Sequence, residues 1–180
     1  MHIKPYLSYS QYSCFLISPN EYKKRYVDGI KLNNKYLDFG KLAHEQFEKE
    51  ETEDSKELKV ECNFYGIPLM GYLDGFNEVE KRIKEHKTGK TKWTQKTVDS
   101  SEQLTFYAIM ASRQFNIKID ELTIILDWYP TLEDTDKTMM FTGEKYSFTT
   151  RRTLKDEIKI YPKIKKVWNG IDELINSLIE

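Results

Sequence analysis

Cysteine is scarce in this chain of 180 residues: only Cys14 and Cys62 are present. Two isolated thiols cannot build a zinc ribbon or an iron–sulfur cluster. Without a visible secretion signal they are expected to be free rather than a disulfide framework. Long apolar runs are missing as well. The longest, around Leu122 to Trp128, is interrupted by Asp127 and is too short to span a bilayer. The opening residues, Met1-His2-Ile3-Lys4-Pro5-Tyr6, lack an apolar stretch followed by a cleavage site. A cytoplasmic protein with no membrane partner is therefore expected. No repeat, low-complexity tract or Pro/Gly-rich linker divides the chain, so residues 1–180 read as a single domain.

What is present is charge. Charged residues make up 32% and the hydrophobic set 39%, the balance of a globular protein with a real core. The net charge of −1 carries no message about partners, but its distribution does. Lys81, Arg82, Lys84, Lys87, Lys90, Lys92 and Lys96 stand against one acid, Glu85, between positions 81 and 96. A second basic stretch runs from Arg151 to Lys166, while acids gather at Glu45–Glu57 and Asp120–Asp136. A basic face on a neutral protein suits a polyanion; a solvated lysine-rich surface is the plainer alternative.

Periodicity and turn residues give a coarse order of elements. Ser8 to Val27 predicts helix, capped by Ser8 or Ser10 and broken at Pro19. Asp38 is placed to cap a second helix reaching Glu51, with Leu42, Ala43 and Phe47 inward. Lys59–Phe64 and Ile67–Leu73 predict strands joined at Gly66, and Arg82–Lys87 a third strand, together a meander. A helix over Ser100–Phe115, strands over Glu121–Tyr129 and Met139–Phe148, and a helix from Thr153 onward, bent or interrupted at Pro162, complete the series. This is an α/β layer fold with a mixed central sheet flanked by helices.

Four polar features fall where such a scaffold can gather them. Asp74 ends an apolar strand; Glu85 and Lys87, two apart on the next, project from one face. Gln103 and Tyr107 share a helix face four residues apart, as do Gly40 and His44. Two carboxylates on neighbouring strands form a hard-oxygen site for Mg²⁺ or Mn²⁺, and a lysine on the same face suits phosphodiester chemistry. Each piece has a plain alternative: Asp74-Gly75 as a hairpin turn, Glu85/Lys87 as an edge-strand charge pair, His44 as a surface histidine, Tyr107 as core and Gln103 as solvated.

Taken in order, Gly40-x-x-x-His44, Gly-Tyr-Leu-Asp74, Glu85-His86-Lys87-Thr88-Gly89 and Gln103-x-x-x-Tyr107 resemble the motif series of RecB-family nucleases of the PD-(D/E)XK superfamily. Leu7-Ser8-Tyr9-Ser10 and Ser18-Pro19-Asn20-Glu21-Tyr22 are similar to that family's N-terminal signature, so the resemblance covers roughly residues 7–110. It implies a PD-(D/E)XK nuclease-like fold. His44, Asp74 and Glu85 would bind Mg²⁺ or Mn²⁺ together with the His86 backbone carbonyl. Lys87 would be the catalytic lysine, and Gln103 and Tyr107 would orient active-site groups. Many relatives carry an iron–sulfur cluster; here Ser18 takes the first cysteine's place and none follows near the C-terminus, so no cluster is expected.

The activity implied is metal-dependent DNA hydrolysis, expected to be exonucleolytic on single strands or ends, with replication, repair or recombination proteins as further partners. An inactive nuclease fold kept for nucleic-acid binding or recruitment, and a restriction-type endonuclease, are the competing readings. For substrate grip, Lys90, Lys92, Trp93 and Lys96 follow the catalytic strand directly. An aromatic among lysines can stack on an unpaired base while the lysines meet phosphates, or Trp93 can tuck into the protein.

Overall fold

The computed structural model describes residues 4–30, 39, 56–133 and 138–178. Ser8 caps helix α1 (Tyr9–Ile17), its side chain accepting from the Gln11 amide. Ser18 caps the short α2 (Pro19–Tyr22), where Pro19 sits in the first turn and its missing N–H costs nothing. A π-helical turn, Lys23–Val27, follows. The expected second helix, with His44 and its neighbour Gly40, lies outside the described residues.

Strands β1 (Leu58–Phe64) and β2 (Ile67–Leu73) form an antiparallel hairpin. Its two-residue turn places Tyr65 at φ 50° and Gly66 at φ 87°, the left-handed pair that a tight hairpin needs. The expected meander stops there. Leu73 is the last residue paired with β1, and the chain then joins a different sheet as β3 (Gly75–Asn77). Strand β3 turns back into β4 (Arg82–Gly89), with the Asn77 side chain accepting from the Glu80 amide at 2.8 Å.

After β4 come α3 (Gln95–Asp99), which periodicity does not reveal because it is barely one turn, and α4 (Glu102–Gln114), capped by Ser101. Strand β5 (Thr123–Glu133) runs parallel to β4, the pairing that a helical crossover permits. The segment expected as one strand divides into β6 (Met139–Phe141) and β7 (Tyr146–Arg151) around Gly143 at φ 84°. β7 pairs antiparallel with the first half of β5, and β6 with its end. The result is a curled mixed sheet in the order β3-β4-β5, extended by β7 and β6, with helices against it.

Helix α5 (Leu154–Asn176) continues through Pro162 without a break; Pro162 is exposed, so water can reach the carbonyl it leaves without a donor. None of the described helices is long and apolar enough to cross a membrane.

The core lies where α4 is pressed between the β1–β2 hairpin and α5. Leu104, Phe106, Ala108, Ile109, Met110 and Ala111 are fully buried along it. Each large apolar side chain among them stabilises the fold by roughly 1.5–3 kcal/mol. Gly71 of β2 makes the close approach possible, since a Cβ there would stand 2.8 Å from Met110 Cε and 3.4 Å from Tyr107 Cε1. Arg152 is buried as well, 2% exposed. Its guanidinium donates to Thr105 Oγ1 and Thr150 Oγ1, both at 2.8 Å, and to the Arg151, Val98 and Ser101 carbonyls. This one side chain ties the end of β7 to the α3–α4 junction.

Candidate active site

Asp74 occupies the single-residue joint between β2 and β3. Extending the β3–β4 register by one pair from Gly75↔Lys84 sets Asp74 opposite Glu85. The dipeptide Asp74-Gly75 is thus a passage between sheets, not a hairpin turn. Strand β5 pairs with β4 along its whole length, while β3 covers the other edge only from Arg82 to Lys84. Being two apart, Glu85 and Lys87 share one face of β4.

The groups converge. Asp74 Oδ2 accepts from the His86 amide at 2.7 Å, and its carboxyl is within hydrogen-bonding range of Glu85. Lys87 Nζ lies 2.5 Å from Glu85 Oε1, with the lysine side chain 24% exposed and the glutamate 2%. From α4, Gln103 Nε2 donates to Glu85 Oε1 at 3.3 Å and to the Tyr107 hydroxyl at 2.8 Å. The four-residue spacing on the helix therefore makes one unit of Gln103 and Tyr107, aimed at the Glu85 carboxylate.

Electrostatics follow from burial. Desolvation pushes the Asp74 carboxyl up to about 6, although the His86 amide and the Lys87 charge pull it back. Burial works against the Lys87 ammonium, yet the adjoining Glu85 and Asp74 carboxylates outweigh it and hold the pKa above its usual value. The Tyr107 phenol is raised strongly, by burial first and then by the Glu85 and Asp74 charges, so it stays protonated.

The histidines divide. His86 turns its ring to the opposite face of β4, buried edge-on against Tyr129 with centroids 5.9 Å apart. Its N–H faces the Asp74 side, and because the N–H and C=O of one strand residue point to the same edge, so does its carbonyl. His44 is not among the described residues. Within those that are, no group of three or more His, Cys, Asp or Glu side chains is placed to hold a metal ion.

Of the expected grip residues, Lys90 pairs with Glu133 at 2.6 Å, and Lys92 and Lys96 are exposed. Trp93 is half-buried and packs against the core.

Three further residues stand around these groups. Glu57 precedes β1; one step beyond Leu58↔Leu73 it stands opposite Asp74, and its charge adds to the upward push on that carboxyl. Tyr9 of α1 feels the Lys87 charge. Tyr12 donates to Glu102 Oε2 at 2.8 Å, and Glu102 also receives Lys163 at 2.6 Å. Only the helical stripe of Tyr9 and Tyr12 is visible in the chain; which surface it meets is a long-range matter.

No family model matches the sequence, and no curated protein matches it. Among solved structures the chain is similar to one described as the crystal structure of SSO0001. The TM-score is 0.53 at 17% identity, covering 91% of this chain and 75% of that one. At that identity the likeness speaks to the fold alone, and it supports an α/β protein with a mixed sheet flanked by helices.

Proposed function

We propose that the protein is a metal-dependent deoxyribonuclease of the PD-(D/E)XK type, with Asp74, Glu85 and Lys87 at its centre. The observation that carries this reading is the meeting of a strand-joint carboxylate, a buried strand carboxylate and a lysine ammonium in one partly accessible site. Two carboxyl groups within hydrogen-bonding range of each other repel when both are ionised. A divalent cation relieves that conflict, and an all-oxygen donor set suits Mg²⁺ or Mn²⁺. Asp74, Glu85 and the His86 carbonyl would hold it, with His44 as the further ligand that the family resemblance implies.

Such an ion supplies an activated water and neutralises phosphate charge. The chain's own groups do the rest. Lys87 places positive charge over the phosphodiester, where negative charge accumulates in the transition state. Gln103, bonded to both Glu85 and Tyr107, fixes the carboxylate that would otherwise swing with Lys87. The His86 amide fixes Asp74 in the same manner.

Incubation of purified protein with labelled single- and double-stranded DNA, in Mg²⁺, Mn²⁺ or EDTA, tests the reading. Cleavage that needs the metal is the expected result; none on any DNA form leaves a nucleic-acid-binding or recruitment module. Circular substrates should stay intact, as an end-dependent exonuclease requires; cutting of circles would point to a restriction-type endonuclease.

A further inference from the structure

The α1 side of the site holds a donor that none of the preceding chemistry uses. Tyr9 follows the Ser8 cap, so its position at the start of α1 is fixed by the capping bond. Its ring is gripped by two others, Phe106 of α4 edge-on at 5.4 Å and Tyr12 at 5.9 Å. Beyond them, Tyr12 is tied to Glu102, and Glu102 to Lys163, so the wall behind Tyr9 is anchored to α4 and α5. Its hydroxyl shares an electrostatic neighbourhood with Lys87 and Tyr107. Among the described residues no hydrogen bond engages that hydroxyl, whereas Tyr12 and Tyr107 each have one. A phenol gripped at its ring, half-buried, within range of the Lys87 charge and still able to donate, is arranged to meet an acceptor that arrives from solution.

We propose that the Tyr9 hydroxyl is a substrate-binding donor of this site, bonding a non-bridging phosphate oxygen of the nucleic-acid strand that lies against Lys87. The inference rests on the nuclease reading for the identity of its ligand. Phosphate oxygen is the acceptor that the neighbouring ammonium attracts, and a neutral phenol adds a bond there without repelling the two carboxylates. Burial and the Glu102 charge both hold the phenol protonated, the form a donor requires. Tyr9 would thus orient the backbone on the side away from β4, with Lys87 on the other.

Tyr9→Phe removes the oxygen and keeps the ring that Tyr12 and Phe106 grip. Affinity of the full chain for a labelled oligothymidylate, measured in Ca²⁺ so that binding is read without turnover, should fall about tenfold or more. The melting temperature should not fall, since the hydroxyl has no partner within the described protein to lose. A Tyr9→Phe protein that binds as tightly as wild type, or a wild type that does not bind the oligonucleotide, overturns the inference. A wild type that binds but never cuts in Mg²⁺ or Mn²⁺ instead sinks the nuclease reading, and the Tyr9 comparison still stands on the binding data.

Discussion

The His86 amide donates to Oδ2 of Asp74 at 2.7 Å, so the residue between Glu85 and Lys87 locks the one site carboxylate that β4 does not carry. A main-chain donor cannot rotate away, and it holds Asp74 whichever side chain stands at 86. Asp74→Asn keeps an acceptor for that amide and loses the charge; Asp74→Ala loses both. Both variants should cut DNA at least about a hundredfold more slowly, as should Lys87→Ala. Single-turnover cleavage rates check this. A Lys87→Ala enzyme at full speed would remove that lysine from the chemistry.

Asp74 also gives the metal-free protein a pH signature. Its carboxyl is raised from 3.8 to about 6 by burial, so between those values the folded protein keeps a proton that the unfolded chain has released. Stability should therefore fall as pH rises through that window, by no more than about 3 kcal/mol, and level off above it. Urea titrations in EDTA at stepped pH should show the slope in wild type and lose most of it in Asp74→Asn. Added Mn²⁺ should restore stability chiefly above pH 6, where the proton no longer competes for the carboxylate.

Gly71 permits the contact that seats Gln103 and Tyr107. A Cβ there would stand 2.8 Å from Met110 Cε, the mobile end of a side chain that can yield, but also 3.4 Å from the Tyr107 ring. Gly71→Ala should be tolerated with a modest cost. Gly71→Val should destabilise by about 1–3 kcal/mol and slow cleavage further than its stability loss explains, because α4 is lifted from β2. Denaturant midpoints compared with cleavage rates separate the two effects.

Arg152 is a buried cation whose hydrogen bonds, among the described residues, go to neutral oxygens. Arg152→Lys cannot reproduce its several directed bonds, and Arg152→Met leaves carbonyls of Val98 and Ser101 without that donor. Either change should cost about 3 kcal/mol or more, read as a drop in thermal midpoint, with little effect on cleavage by the fraction that stays folded.

Local signals in the chain were enough for many elements. Ser8, Ser18, Ser101 and Thr153 cap helices as their types suggest, and the turn at Gly66 closes its hairpin. The i, i+2 relation of Glu85 and Lys87 and the i, i+4 relation of Gln103 and Tyr107 are read directly, because backbone geometry alone sets them. What local signals miss is tertiary. Nothing in Gly71-Tyr72-Leu73-Asp74-Gly75-Phe76 says that the chain changes sheets at Asp74; the alternation simply runs on. Helix α3 and strand β3 are too short to show a period. Tyr9 has the pattern of any inward aromatic, and only the docking of α1 beside α4 reveals which groups it faces.

One consequence of the strand order concerns exchange with solvent. Strand β4 is paired parallel to β5 along its length and antiparallel to β3 at Arg82–Lys84, and β5 is held in turn by β7. Its amides from Arg82 to Lys84, paired on both edges, should be among the last of the described residues to take up deuterium. Glu85 and Lys87 would then follow directly on the slowest-opening segment, so the groups of the site stand on backbone that rarely leaves its place.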